Sequence, residues 1–315
     1  MRLLCTTLLL VAQAATPIFR FETDGFWLNL HHYLYVLGRA EARTPDRARE
    51  AVAGAPAEAA AGLQTLSEAD QQAWREAVSF YAGGPSKLDA VFDRELSDIT
   101  NALKRAAADQ PAATTRIDPK VAAVLDRVAP VYRRVWWTKH RDANRAWVAE
   151  IDPLVKQYGP QVLAYLTRIY QEPWPKDGYP VQISAWSNWA GAYSTSFSLL
   201  VVSSQAPGVR GSQGLEITFH ESMHQWDDAI AARLARLAKA NGLPAPKDDL
   251  THAMIFYTAG EAVRRAIPDH TPYADAAGIW RRGLGPFKAA LDACWKPYLD
   301  GNGTLDAALI GLLKS

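Results

Sequence analysis

A mainly helical fold carrying a small β-sheet (α+β) is predicted by three features of the chain. Apolar residues recur at helical spacing over most of its length. Alternating and β-branched runs are confined to one stretch near residues 181–203. A cluster of turn residues fences that stretch on one side, and helical spacing returns on the other. The 315 residues, 49% apolar and 21% charged, can bury a sizeable core in one large domain or two tightly packed subdomains. Eleven Trp and twelve Tyr favour aromatic packing between helices, or a cleft lined by rings.

The chain opens with a short basic start, Met1-Arg2, followed by an apolar run from Leu3 to Val11 and an A-x-A cleavage pattern, Ala12-Gln13-Ala14. This is the tripartite pattern of a secretory signal peptide over residues 1–14. The apolar run is shorter than the roughly 20 residues a bilayer span needs. A periplasmic or secreted protein is expected, with no stable membrane insertion after cleavage. Only Cys294 then remains, so an internal disulfide is not expected and stability must come from the core.

Residues 15–172 read as a helical N-terminal region. Phe26, Trp27, Leu30, Tyr33, Leu34 and Leu37 recur at helical spacing, with Gly38 as a candidate end. Residues 44–62, rich in Ala and Glu, suggest short helices. Ser67 opens a helix to Tyr81 that Gly83-Gly84-Pro85 terminates. Further helices are expected over 87–107, 120–147 and 159–170, with a loop at 109–119. The basic run from Arg133 to Arg141 alternates with Val135, Trp136 and Trp137, as in an amphipathic helix with a solvated basic face. A net charge of +1 gives no basic excess of the kind a nucleic-acid partner requires, and none is expected.

Residues 173–315 form the second region. Turn residues from Pro173 to Pro180 precede a strand over 181–186, an extended edge over 191–195 and a second strand over 197–203 whose buried run is Leu199 to Val202. A glycine-containing connector, 205–214, leads to helices near 214–241, 247–266 and 273–297. The whole is expected to pack as one compact unit with the N-terminal helices.

The helix at 214–241 carries His220-Glu221-Ser222-Met223-His224, an H-E-x-x-H pattern. Residues i and i+4 share one helix face, so both imidazoles can meet one zinc ion, and Glu221 falls beside that face as general base for an attacking water. Apart from Glu221, no charge or proline interrupts 217–226, and a buried apolar helix accommodates His and Glu at high cost unless a metal satisfies them. A catalytic zinc takes three protein ligands and one open position. The extended H-E-x-x-H-x-x-G-x-x-H pattern is absent, since Asp227 and Ile230 stand at its last two positions. Glu261 is the leading third ligand, with Asp227 as its rival or as a partner of His224, and Arg264 and Arg265 as competing salt-bridge partners of Glu261. Tyr257, four residues before Glu261, is the leading oxyanion donor, with His252, His270 and Tyr273 behind it; one of His31 and His32 is a further cleft candidate.

H-E-x-x-H followed by a glutamate on a later helix, with an edge strand at 189–195 before the motif, resembles the gluzincin metallopeptidases over 181–265. The resemblance implies a zincin-like core, Zn2+ held by His220, His224 and Glu261, catalysis by Glu221 and Tyr257, and a peptide or protein substrate laid along the edge strand. No Asn precedes Glu261, and Arg265 stands where some gluzincins have an acid. Two other readings remain: an exported zinc-binding protein without turnover, and a zinc hydrolase of a non-peptide amide such as cell-wall material. No G-x-S-x-G and no P-loop are present.

Overall fold

The computed structural model describes residues 16–43, 51–195 and 199–315. The signal-like segment 1–14 and part of the 44–62 stretch lie outside them. The protein is mainly helical with one four-stranded sheet, ordered β1-β2-β4-β3. The strands are β1 (Phe19–Glu22), β2 (Tyr179–Ser184), β3 (Ala192–Thr195) and β4 (Leu199–Ser203). β1 and β4 run parallel to β2, while β3 runs antiparallel to β4 and closes one edge.

β1 lies where helical spacing was expected to begin. Four residues cannot display a period, and tertiary partners decide the conformation. The Ile18 carbonyl accepts from Tyr179 N and from Trp174 Nε1. Phe19 packs edge-on against Trp174 and Phe219.

Of the N-terminal helices, α1 (Phe26–Glu41) runs through Gly38 and does not end there. A Cβ at Gly38 would lie 2.4 Å from Ser86 Oγ and 2.8 Å from Ala82 N, so this glycine permits close approach of a second helix and is no cap. That neighbour is α3 (Glu68–Gly83), whose N-cap Ser67 accepts from Asp70 N. Between them lies α2 (Ala55–Leu63). α4 (Arg94–Leu103) is shorter than expected because Asp93 caps it, its side chain accepting from Leu96 N.

Two predicted helices, 120–147 and 159–170, are one. α5 (Pro119–Tyr132), a five-residue π-turn (Arg133–Trp137) and α6 (Thr138–Tyr170) form a continuous helical run. Pro153 and Pro160 sit on its exposed side, where water can satisfy the carbonyls they release. The π-turn leaves Arg133 and Arg134 in solvent and turns Trp136, Trp137 and His140 inward.

α7 (Gly211–Met223), a short 3-10 turn (His224–Trp226) and α8 (Asp227–Ala240) replace the single predicted helix at 214–241, and α9 (Leu250–Ala266) packs on α7. The predicted helix at 273–297 breaks into α10 (Tyr273–Ala276), α11 (Lys288–Ala290), a π-turn and α12 (Lys296–Leu299), before α13 (Leu305–Lys314).

Two large apolar cores result, with a small third cluster of Tyr193, Leu199 and Val201 at the sheet. The larger joins Phe19, Trp147, Ile151, Val181, Leu200 and Phe219 to α9 and the C-terminal helices. The other joins α1 to Trp74, Tyr132 and Trp136. They part within the α5–α6 run and not at the 173–180 turn. Asn29 and Asn144 stitch them together, each donating to the Ile183 carbonyl, while Asn29 Oδ1 accepts from Ala185 N. Buried amides with their groups satisfied fix the mutual register of α1, α6 and β2.

Candidate metal centre

Three imidazoles from two helices converge beside the sheet edge. His220 lies in the last turn of α7, His224 in the 3-10 turn that follows, and His252 in the first turn of α9. Their ring centroids form a near-equilateral triangle: 5.3 Å from His220 to His224, 5.4 Å from His220 to His252 and 5.2 Å from His224 to His252. One nitrogen from each lies within 4.8 Å of the others. Phe256, one turn after His252, covers the trio, its ring 4.0 Å from His220 and 4.8 Å from His252. Tyr273 stacks on the far side of Phe256 at 6.3 Å.

The protonation chemistry suits metal ligation. Burial, reinforced by the two neighbouring histidines, pushes His220 well below its ordinary value. Burial, with His224 beside it, pulls His252 down to about 4. Both rings are therefore neutral near pH 7, the form that donates a lone pair to a metal. His224 is raised instead: burial opposes its charge, but the Asp227 hydrogen bond and the Glu221 and Asp227 carboxylates outweigh that cost. His224 Nδ1 lies 2.7 Å from Asp227 Oδ2. The carboxylate holds the proton on Nδ1 and leaves the Nε2 lone pair available, the usual support for a ligating histidine. Asp227 is thus a partner of His224. His220 Nδ1 is buried with no hydrogen-bond partner, an expense of about 1–3 kcal/mol that a metal bond would offset.

Glu221 is buried beside the trio. Ser194 Oγ, on the edge strand β3, lies 2.8 Å from Glu221 Oε2 and 2.9 Å from its main-chain oxygen. Burial raises the carboxyl, opposed by His224 and by Ser194. The same strand presents Tyr193 to the opposite face, where its hydroxyl meets His32 Nε2 at 2.8 Å. Alternation along β3 thus fixes Ser194 toward the motif helix.

Other residues singled out in the sequence go elsewhere. Glu261 lies nine residues after His252, roughly 13 Å along the helix axis. Arg264, at i+3, donates to both of its oxygens at 2.6 and 2.8 Å. Among the described residues the trio is completed by His252, not by Glu261. Tyr257 donates to Asp292 Oδ1 at 2.7 Å and lies under Lys288, so in this structure its hydroxyl is engaged with the C-terminal π-turn. His31 is bonded to Tyr81, and His32 to Ser184 and Tyr193, within the second core's border with the sheet. His270 is held between Ser212 and Glu216.

His252, Ser194 and Phe256 border the candidate site, and the sequence reading placed them in other roles or passed over them. The available signal was a histidine one turn into the next apolar helix after the motif. Two surface clefts, about 450 Å³ beside Glu58 and Lys139 and about 310 Å³ beside Arg94 and Arg116, are lined by none of these residues. No described helix is long and apolar enough to cross a membrane. Compared with known proteins, the chain matches no family model, no curated sequence and no solved structure.

Proposed function

We propose that the chain is an exported zinc-dependent hydrolase of peptide-type bonds, with Zn2+ held by His220, His224 and His252 and with Glu221 as general base. The observation that carries this reading is the convergence of three imidazoles, two of them kept neutral by burial, next to a buried carboxylate. Three histidines with one open position are a donor set suited to catalytic zinc. A zincin-like arrangement is supported by the antiparallel edge strand lying against the motif helix, although the third ligand departs from the gluzincin glutamate.

Bound zinc would supply a Lewis acid for a substrate carbonyl and for water. Glu221 accepts the proton of the attacking water and delivers it to the leaving nitrogen. Ser194 holds one carboxylate oxygen and so aims the other. Asp227 holds the His224 ring in its ligating tautomer. The outer side of β3, which no other strand pairs among the described residues, offers main-chain groups to an extended peptide.

The test combines metal analysis with Glu221→Gln. One equivalent of zinc per chain and peptide hydrolysis abolished by the substitution are expected. The near-complete burial of His220 and Glu221 favours a second reading, a zinc-binding protein without turnover. Zinc bound with no hydrolysis of a peptide library by the unsubstituted protein would select that reading. Absence of zinc would remove both.

A further inference from the structure

A second hydrogen-bonded chain of reactive groups lies at the other end of α7. His270, fully buried, sits between Ser212 and Glu216: its Nδ1 is 2.8 Å from Ser212 Oγ and its Nε2 is 2.6 Å from Glu216 Oε2. The Tyr273 amide also donates to Glu216 Oε2, at 2.8 Å. Glu216 is fully buried, and in the tautomer in which its carboxylate accepts the Nε2 proton the Nδ1 lone pair of His270 faces the serine hydroxyl. Nucleophile, base and orienting acid stand in the order that activates a serine.

The position of Ser212 adds a second element. It is the second residue of α7, half-buried, flanked by Gly211 and by Gln213-Gly214. First-turn N–H groups have no acceptor inside their own helix, and the helix dipole adds positive potential there. Those of Ser212 and Gln213 adjoin the hydroxyl, where negative charge would develop on an attacked carbonyl. Glu150 occupies the neighbouring Gly211 amide at 2.6 Å, and Arg210 pairs with Glu150 at 3.1 Å, so this carboxylate is matched.

We propose that Ser212, His270 and Glu216 are a nucleophilic triad, separate from the histidine cluster, that takes an acyl group from an activated ester. Ser212 Oγ bonds to the acyl carbon as its proton passes to His270 Nδ1. The ester C–O bond breaks, and the leaving alkoxide takes that proton as an alcohol. Water, deprotonated by the same nitrogen, then releases the acid and restores the serine. A purely structural role, tying 267–273 to α7, predicts no reactivity at Ser212.

An alkyl fluorophosphonate tests this on the full chain. The Oγ–P bond forms, the P–F bond breaks, fluoride leaves, and the proton passes through His270 to solvent. A single adduct mapped by peptide mass spectrometry to Ser212 is expected. It should be lost in Ser212→Ala, slowed at least tenfold in Glu216→Gln, and unaltered by a zinc chelator. A label elsewhere, an equal rate in a folded Glu216→Gln variant, or a need for metal would overturn the triad. Should Glu216→Gln fail to fold, the unsubstituted protein decides alone: Ser212 labelling that persists in urea beyond the unfolding transition refutes activation by the fold.

Discussion

The proposed zinc site separates side chains that would hold the metal from those that only border it. On the proposed reading, removing the His252 imidazole would leave only His220 of α7 and His224 of the adjoining 3-10 turn, so His252→Ala is expected to weaken zinc binding more than Asp227→Ala. The latter removes only the support of His224 and should cost about 10–100-fold. Glu261→Ala should leave the affinity unchanged, since that carboxylate belongs to Arg264. Chelator competition on the three variants checks the order, and a strong effect of Glu261→Ala would restore it to the ligand set. Ser194→Ala removes a hydrogen bond to a charged acceptor, an interaction worth about 1.5–3 kcal/mol. The expected outcome is a roughly tenfold or greater fall in kcat with KM and bound zinc unchanged, and Ser194→Thr should recover most of it. That His220, Glu221 and His224 would lie together was legible because a five-residue motif imposes its own geometry. His252 was not, because a lone histidine 28 positions further on carries no local pattern that tells ligand from donor. For Glu261 the sequence left two fates open, metal ligand or salt bridge to Arg264 or Arg265, and in the structure Arg264 at i+3 takes both of its oxygens.

Elements answer to packing that periodicity does not record. The α1–α3 contact depends on a missing side chain at Gly38, where a methyl group would meet backbone at Ala82. Gly38→Ala should therefore destabilise by about 1–3 kcal/mol, despite alanine's better helix propensity. Urea unfolding measures it, and a neutral or stabilising effect would mean that α1 and α3 can separate freely. Strands β2 and β4 were legible because alternation and a buried aliphatic run survive in six and five residues, and the four-residue β3 was placed by lying between them in the chain. β1 was not, because its pairing with β2 crosses more than 150 positions of chain. The gap expected between 147 and 159 is helical instead, and Pro153 and Pro160 are accommodated there on the exposed face of α6.

Across the molecule, one carboxylate joins parts that the chain keeps far apart. Glu58 of α2 meets Lys139 at 2.6 Å, His140 at 3.1 Å and the Trp186 indole at 2.8 Å. Burial alone would raise its carboxyl, yet the His140 contact, then Lys139 and Trp186, hold it down to about 2. A carboxyl titrating near 2 when folded and near 4.5 when unfolded binds more protons in the unfolded chain between those values. Its contribution is thus complete above about pH 4.5 and lost as pH falls toward 2. Glu58→Gln should lower stability at neutral pH, with the gap to the unsubstituted protein narrowing through that window. Denaturation curves taken between pH 2 and 7 test this; a gap independent of pH would show that the ion contacts contribute nothing.

The uninterrupted run from α5 through the π-turn into α6 serves both apolar cores, Leu125 and Tyr132 in one and Trp147 and Ile151 in the other. Helix is cooperative along its length, so fraying in either half propagates into the shared rod. The protein should therefore melt as a single calorimetric unit, and a backbone nick between Asn144 and Trp147 should leave neither half able to fold alone. Strung on a common spar in this way, the two described cores should be gained or lost together.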